Sequence, residues 1–138
     1  MHASQRRAGT VLVEFALVVP LFLLICLAGI DFARVFATAM AINGANRVGL
    51  QYAAQNPGTT NGIAGAVAAD AAIAGLKVVA AQYCACSAGG AQVPCTNSCS
   101  GKMTYTQVTT TLPFNTVVAW PGIPDRLTLS VSGVIRVQ

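Results

Sequence analysis

The sequence predicts an α+β protein in which one long N-terminal helix, apolar enough to enter a membrane, packs on a small antiparallel β-sheet head. Three observations carry this. An apolar run from Thr10 to Ile30 contains a single charge, alanine-rich helical sequence continues from it to Gln55, and the closing segment alternates apolar and polar residues. Hydrophobic residues make up 54% of the chain and charged ones 9%; part of that excess is the apolar run, which supports dividing the chain into an anchor and a head.

The run, TVLVEFALVVPLFLLICLAGI, spans roughly 30 Å as a helix, enough for one bilayer crossing. Arg6 and Arg7 precede it, and Asp31 and Arg34 follow. The positive-inside rule then keeps the N-terminus cytoplasmic and puts the rest in the periplasm or outside. A cleaved secretory signal would have a shorter core and a small-residue cleavage site. Ala28-Gly29-Ile30 fits that poorly, and apolar character resumes at Phe32, Val35 and Phe36. Glu14 is the one charge in the run. A charge in hydrocarbon costs at least about 3 kcal/mol, so an intramembrane Glu reads first as functional. Pro20 removes a helical hydrogen bond and crowds the preceding turn, so a kink or loosened turn is expected there. Ala16, Ala28, Gly29 and Ala33 offer small surfaces for close helix approach. Asp31 and Arg34, spaced i,i+3, read as a local pair at the membrane exit.

Beyond the membrane the helix is expected to continue to about Gln55, with a weak spot at Asn43-Gly44 and an end at Asn56-Pro57-Gly58. Its apolar residues Phe32, Val35, Phe36, Met40, Val48 and Tyr52 are expected to form the face that covers the head.

The head, residues 57–138, has about 80 residues, near the lower limit for an independent core, so staples or stem packing should help it. After the Thr59–Gly62 loop, Ile63 to Leu76 reads as a short helix with Asn61 near its N-cap. Strands are predicted over Lys77–Tyr83, Met103–Thr111 and the closing segment. In the last, Leu127, Leu129, Val131, Ile135 and Val137 share one face, opposite Thr128, Ser130, Ser132 and Arg136. Residues 112–126, with Pro113, Pro121 and Pro124, read as a loop holding at most a short edge strand, giving a sheet of three or four strands. Phe114 and Trp120 make that loop a candidate partner surface; Trp120 fits equally as a cap on the core.

Cys26 lies in the span and reads as a small apolar residue. Cys84, Cys86, Cys95 and Cys99 cluster within residues 84–99 on the side argued to be oxidising, and read as two disulfides. Cys84 and Cys86 point the same way along a strand and do not suit each other. The spacing favours the nested pairing, Cys84 with Cys99 and Cys86 with Cys95; Cys84–Cys95 with Cys86–Cys99 is the alternative. A zinc site is disfavoured by C-x-C with C-x3-C spacing and by the lack of a nearby histidine.

Gly9 followed by Thr10-Val11-Leu12-Val13-Glu14-Phe15 resembles the class III signal of type IV pilins and pseudopilins. In that family a prepilin peptidase cuts after the glycine, and the glutamate is fifth in the mature chain, as Glu14 is from Thr10. More narrowly, VEFALVVPLFLLICLAGIDFARVF is similar to the TadE-like family of tight-adherence (Flp) pilus systems, strongly over residues 6–55 and more weakly through the cysteine cluster and closing strand. The resemblance implies a type IV pilin-like fold and three parts: a cleaved cytoplasmic leader (1–9), an N-terminal helix (10–56) and the head (57–138). It implies a minor pilin or pseudopilin held in the inner membrane with its C-terminus periplasmic, then assembled into a filament. The partners it implies are other pilin subunits, the prepilin peptidase and the inner-membrane assembly platform. Cleavage would expose an amine on Thr10, one turn from Glu14, and the two charges could neutralise each other within or between subunits. The plainer account has Glu14 snorkelling or pairing with Arg6 or Arg7.

Catalysis finds no support. His2 lies in the expected leader, and Asp31, Asp70 and Asp125 are scattered, so no acid–base pair or nucleophile–base set stands out. No cofactor or metal is expected. Losing Arg6 and Arg7 lowers the net charge of +4 by two, too slight a balance to suggest nucleic-acid binding. The competing function is an uncleaved single-span anchor carrying a periplasmic binding or assembly module.

Overall fold

The computed structural model describes the backbone of residues 3–138 and the side chains of residues 10–138. The expected leader, with Arg6, Arg7 and Gly9, lies outside the residues described in full. Helix α1 (Ala3–Gln55) has 53 residues, about 80 Å of stem, and ends at Asn56, whose side chain donates to the Tyr52 carbonyl. It runs unbroken through Pro20 and through the expected weak spot at Gly44. Glycine there costs a helix about 1 kcal/mol, but its neighbours Ile42, Ala45 and Asn46 are buried against the head and hold the turn. Asn43 turns its amide back onto the Ala39 carbonyl, so its polar group stays within the helix as well.

The head is an antiparallel meander of β1 (Lys77–Ala85), β2 (Met103–Asn115) and β3 (Arg126–Arg136), in the order β1-β2-β3. With the long helix this is an α+β, pilin-like layout. Stem α1 lies across β2 and β3, while α2 (Ile63–Ala71) fills the angle between α1 and β1. Strand β3 shows the expected alternation, with Leu127, Leu129, Val131 and Ile135 turned inward. In β2 the inward set is Thr106, Val108, Thr110, Leu112 and Phe114. Val108 meets Ile63 and Val67 of α2 and Ala45 and Ala53 of the stem in the core.

Two boundaries differ from expectation. Helix α2 stops at Ala71 rather than Leu76, because Ala72 adopts a left-handed conformation (φ 46°) and Gly75 turns the chain into β1. Its N-cap is Gly62 (φ 90°), not Asn61. A Cβ on Gly62 would stand 2.5 Å from the Tyr52 hydroxyl, so both the conformation and the space call for glycine. Strand β2 continues past Thr111 to Asn115, through residues expected to form a loop. Its partner β1 ends where Lys77 faces Thr111, so Pro113, opposite Thr128, lies in a two-stranded extension where β2 is an edge. A proline is tolerated there.

The stem's contact face also differs. The residues that meet the head are Ile42, Ala45, Asn46, Gly49 and Ala53, mostly small, with Leu50 and Tyr52 partly buried. Of the large apolar residues expected on that face, Phe32, Phe36 and Met40 are exposed rather than covered by the sheet. Small side chains let the helix approach the sheet closely: a Cβ on Gly49 would meet Val108 at 3.0 Å and Val67 at 3.1 Å.

The four head cysteines form two disulfides, Cys84–Cys95 and Cys86–Cys99, with Cα separations of 4.9 and 5.7 Å. The favoured nested pairing is therefore not the one adopted. The Cys84 amide donates to the Val93 carbonyl and the Val93 amide to the Cys84 carbonyl, at 3.1 and 2.8 Å, forming an isolated antiparallel bridge. That bridge brings Cys95 beside Cys84 and leaves Cys86 to reach Cys99, so the two links cross. With all four sulfurs bonded, no thiolate remains there for a metal.

Candidate functional site

The features that carry function lie along α1 and where the head meets it. From Thr10 to Gln55 the helix contains a stretch of mean hydropathy 2.8, long and apolar enough to cross a membrane, and none of that stretch is buried by the head. Val11 to Ile30 present their side chains outward all round. Glu14 is exposed among them, one turn beyond Thr10. Gly29 has nothing within 4 Å of where a Cβ would sit, so the small-residue surface near Ala28 is open.

Phe32, Phe36 and Met40 repeat every four residues and so extend this apolar surface beyond the span on one face. They are 74%, 58% and 55% exposed, while the opposite face of the same helix is buried by the sheet.

Between these surfaces Asp31 does more than pair with its neighbour. Arg34 Nη1 does donate to its Oδ1 at 3.1 Å, as the i,i+3 spacing suggests. But Asp31 is also buried and gathers the loop after β2. The Val117 amide donates to Oδ1 at 2.9 Å and to Oδ2 at 3.1 Å. The Val118 amide reaches Oδ2 at 3.4 Å, and the Trp120 indole Nε1 reaches it at 3.1 Å. One carboxylate at the head of the stem thus clasps a loop more than 80 residues away in sequence. The Val117 amide, then the Trp120 indole, hold its carboxyl below the usual carboxylate range, with burial opposing them.

This arrangement changes the reading of the candidate partner loop. Phe114 is buried, on the inward face of β2, with the Arg34 guanidinium 5.1 Å from its ring centroid. It is a core contact, not a loop-borne one. Trp120 is half-buried and tied to Asp31, so of the two readings its capping role has the contacts. The exposed apolar residues of that loop are Val117 and Ile123. The sequence put Val117 within the candidate loop but rested the case on Phe114 and Trp120 and passed over Ile123, because single aliphatics in a proline-rich stretch carry no periodicity.

The clasp makes a prediction. Asp31→Asn keeps the volume but replaces one acceptor oxygen with a donor facing other donors. Losing a charged hydrogen bond is worth about 1.5 kcal/mol, so hydrogen exchange at the Val117 amide should speed roughly tenfold. Amides of β1, which lies away from the clasp, should be unchanged. Because the folded-state pKa is lowered, the clasp is complete above the ordinary carboxylate range. It is lost as pH falls through the lowered value, and a fall in the protection of the Val117 amide, its exchange rate taken relative to the intrinsic rate at each pH, would report it.

A membrane-length apolar stem carrying a small disulfide-stapled α+β head gives the chain a pilin-like layout. The model of the TadE-like protein family matches residues 9–55, which cover the apolar run, Glu14, the Gly29-Ile30-Asp31-Phe32 exit and the exposed stem. Over that segment the chain is similar to the TadE-like family, which is structural and pilus-associated. No curated protein and no solved structure matches the chain.

Proposed function

We propose that the chain is a minor pilin or pseudopilin of a tight-adherence pilus. A prepilin peptidase cuts it after Gly9, and it waits in the inner membrane with its head in the periplasm. The assembly platform then packs it stem-first beside other pilin subunits. The observation that carries this reading is the row of Phe32, Phe36 and Met40, exposed on a stem whose other face is filled by its own head. A soluble helix end gains nothing from such a row in water, whereas helix-on-helix packing in a filament buries it. The TadE-like match over residues 9–55 supports the same reading.

Glu14 and Thr10 supply the polar part. Cleavage would place an ammonium on Thr10, and a neighbouring subunit's Glu14 could neutralise it, setting the axial register between stems. Pro20, inside the span, would let the helix adjust as it leaves lipid.

N-terminal sequencing of chain recovered from cells that carry the peptidase tests the proposal. A chain beginning at Thr10 is the expected result. One beginning at Met1 or His2, in cells that still build fibres containing it, would instead favour an uncleaved anchor with a periplasmic module.

A further inference from the structure

Asp31 holds loop 116–123 against the stem, and an open groove lies beneath it. The groove, of roughly 300 Å³, is bounded by Ala28, Phe32 and Val35 on the stem and by Trp120, Ile123 and Leu127 on the head. Its walls are almost wholly apolar. We propose that this groove and loop are a lipid-binding surface, taking an acyl chain of the outer leaflet and seating the head on the membrane. The inference rests on reading Thr10–Ile30 as the membrane span.

Level along the stem is the first argument. Asp31 holds Val117, Val118 and Trp120 at its own height, one residue past Ile30. A span of about 30 Å fills the hydrocarbon thickness, so the clasped loop sits at the outer boundary. The groove reaches back to Ala28, within the span itself, and its stem wall adjoins the exposed span residues Leu27 and Ile30.

Chemistry is the second. Val117 and Ile123 are 60% and 49% exposed on this loop, with Trp120 between them, the composition of an interfacial contact. Cations stand where headgroup phosphates would lie. Arg34 has its side chain 46% exposed after pairing with Asp31, and Arg126 is exposed beside Asn115 and Asp125 at the adjacent cleft. A protein partner could also fill an apolar groove. Lipid is favoured because one wall of the groove belongs to the segment that lipid already surrounds.

Trp120 is the single tryptophan and Cys26 the single cysteine outside the disulfides, which gives each position its own probe. The full chain is reconstituted, without reductant, in phosphatidylcholine vesicles brominated either near the headgroup or near the chain ends. A thiol-reactive fluorophore on Cys26 reports the span. Trp120 emission should be quenched more by shallow than by deep bromines. Val117→Asp with Ile123→Asp should cut that quenching by at least about half while leaving the Cys26 signal unchanged. Trp120 unquenched beside a quenched Cys26 probe would overturn the lipid contact and leave the span intact. Neither probe quenched would overturn the span and this inference with it. Trp120 quenching that disappears as protein is crowded in the vesicles would show a second copy in the groove, and undiminished quenching in the double variant would also refute the proposal.

Discussion

Replacing Glu14 with leucine is expected to leave the chain in the membrane and nearly remove it from fibres. Leucine at the centre of a span is favoured over an acidic residue by about 3 kcal/mol on insertion scales, so insertion should be no worse. On the proposed reading, what disappears is the carboxylate that would neutralise a cleaved Thr10 amine. Each subunit would then bring an unpaired ammonium into a packed apolar bundle, and leaving one partner of a buried pair alone costs about 3–5 kcal/mol. At about 1.4 kcal/mol per tenfold, incorporation should fall by at least a hundredfold. Comparing the variant's amount in sheared fibres with that in the membrane fraction measures this directly. Glu14→Gln, polar but uncharged, should be nearly as defective, which separates charge from polarity. Wild-type levels of Glu14→Leu in fibres would show that the carboxylate has no part in assembly, whatever its position relative to Thr10.

Local patterns announced much of the architecture. The apolar run from Thr10 to Ile30 and the two-residue alternation of β3 are local properties, and both elements appear where their periods place them. Features that depended on distant partners could not be read this way. Asp31 looks like half of an i,i+3 pair because Arg34 is near it in sequence, while Val117 and Trp120 are not. Gly44 looks like a break because propensity ignores the sheet that holds Ile42 and Asn46 on either side of it. Pro113 looks like the end of a strand until β1 is known to stop at Lys77, which turns an interior position into an edge. The cysteine pairing turned on a backbone bridge from Cys84 to Val93, a residue with no sequence signal of its own. Hydrophobicity named Phe32, Phe36 and Met40 correctly as one face but misjudged its direction. A short-range pattern says that residues face together and not what they face.

Asn46 is the clearest instance of a residue whose importance only the fold reveals, and Gly133 tests it. Asn46 is buried, and its Nδ2 donates to the Val108 carbonyl at 2.8 Å and the Val131 carbonyl at 3.3 Å, tying the stem to both β2 and β3. Thr110, also buried, joins the group by donating to the Ile42 carbonyl at 3.4 Å. Strand β3 can come this close because Gly133 has no side chain: a Cβ there would stand 2.6 Å from both Asn46 Oδ1 and Leu50 Cδ1. Glycine in a strand interior ordinarily weakens it, so Gly133→Ala would otherwise be expected to stabilise by about 0.4–1 kcal/mol. Here it should destabilise by about 1–3 kcal/mol, since neither the hydrogen-bonded amide nor the packed leucine can yield freely. Chemical denaturation of the full chain in detergent, followed by the circular dichroism of the sheet, measures the change. With Asn46→Ala and Leu50→Ala already present the obstruction is gone, and the same substitution should revert to neutral or stabilising. A Gly133→Ala penalty that is equal in both backgrounds would mean that the close approach of stem and strand is not what reserves this position for glycine.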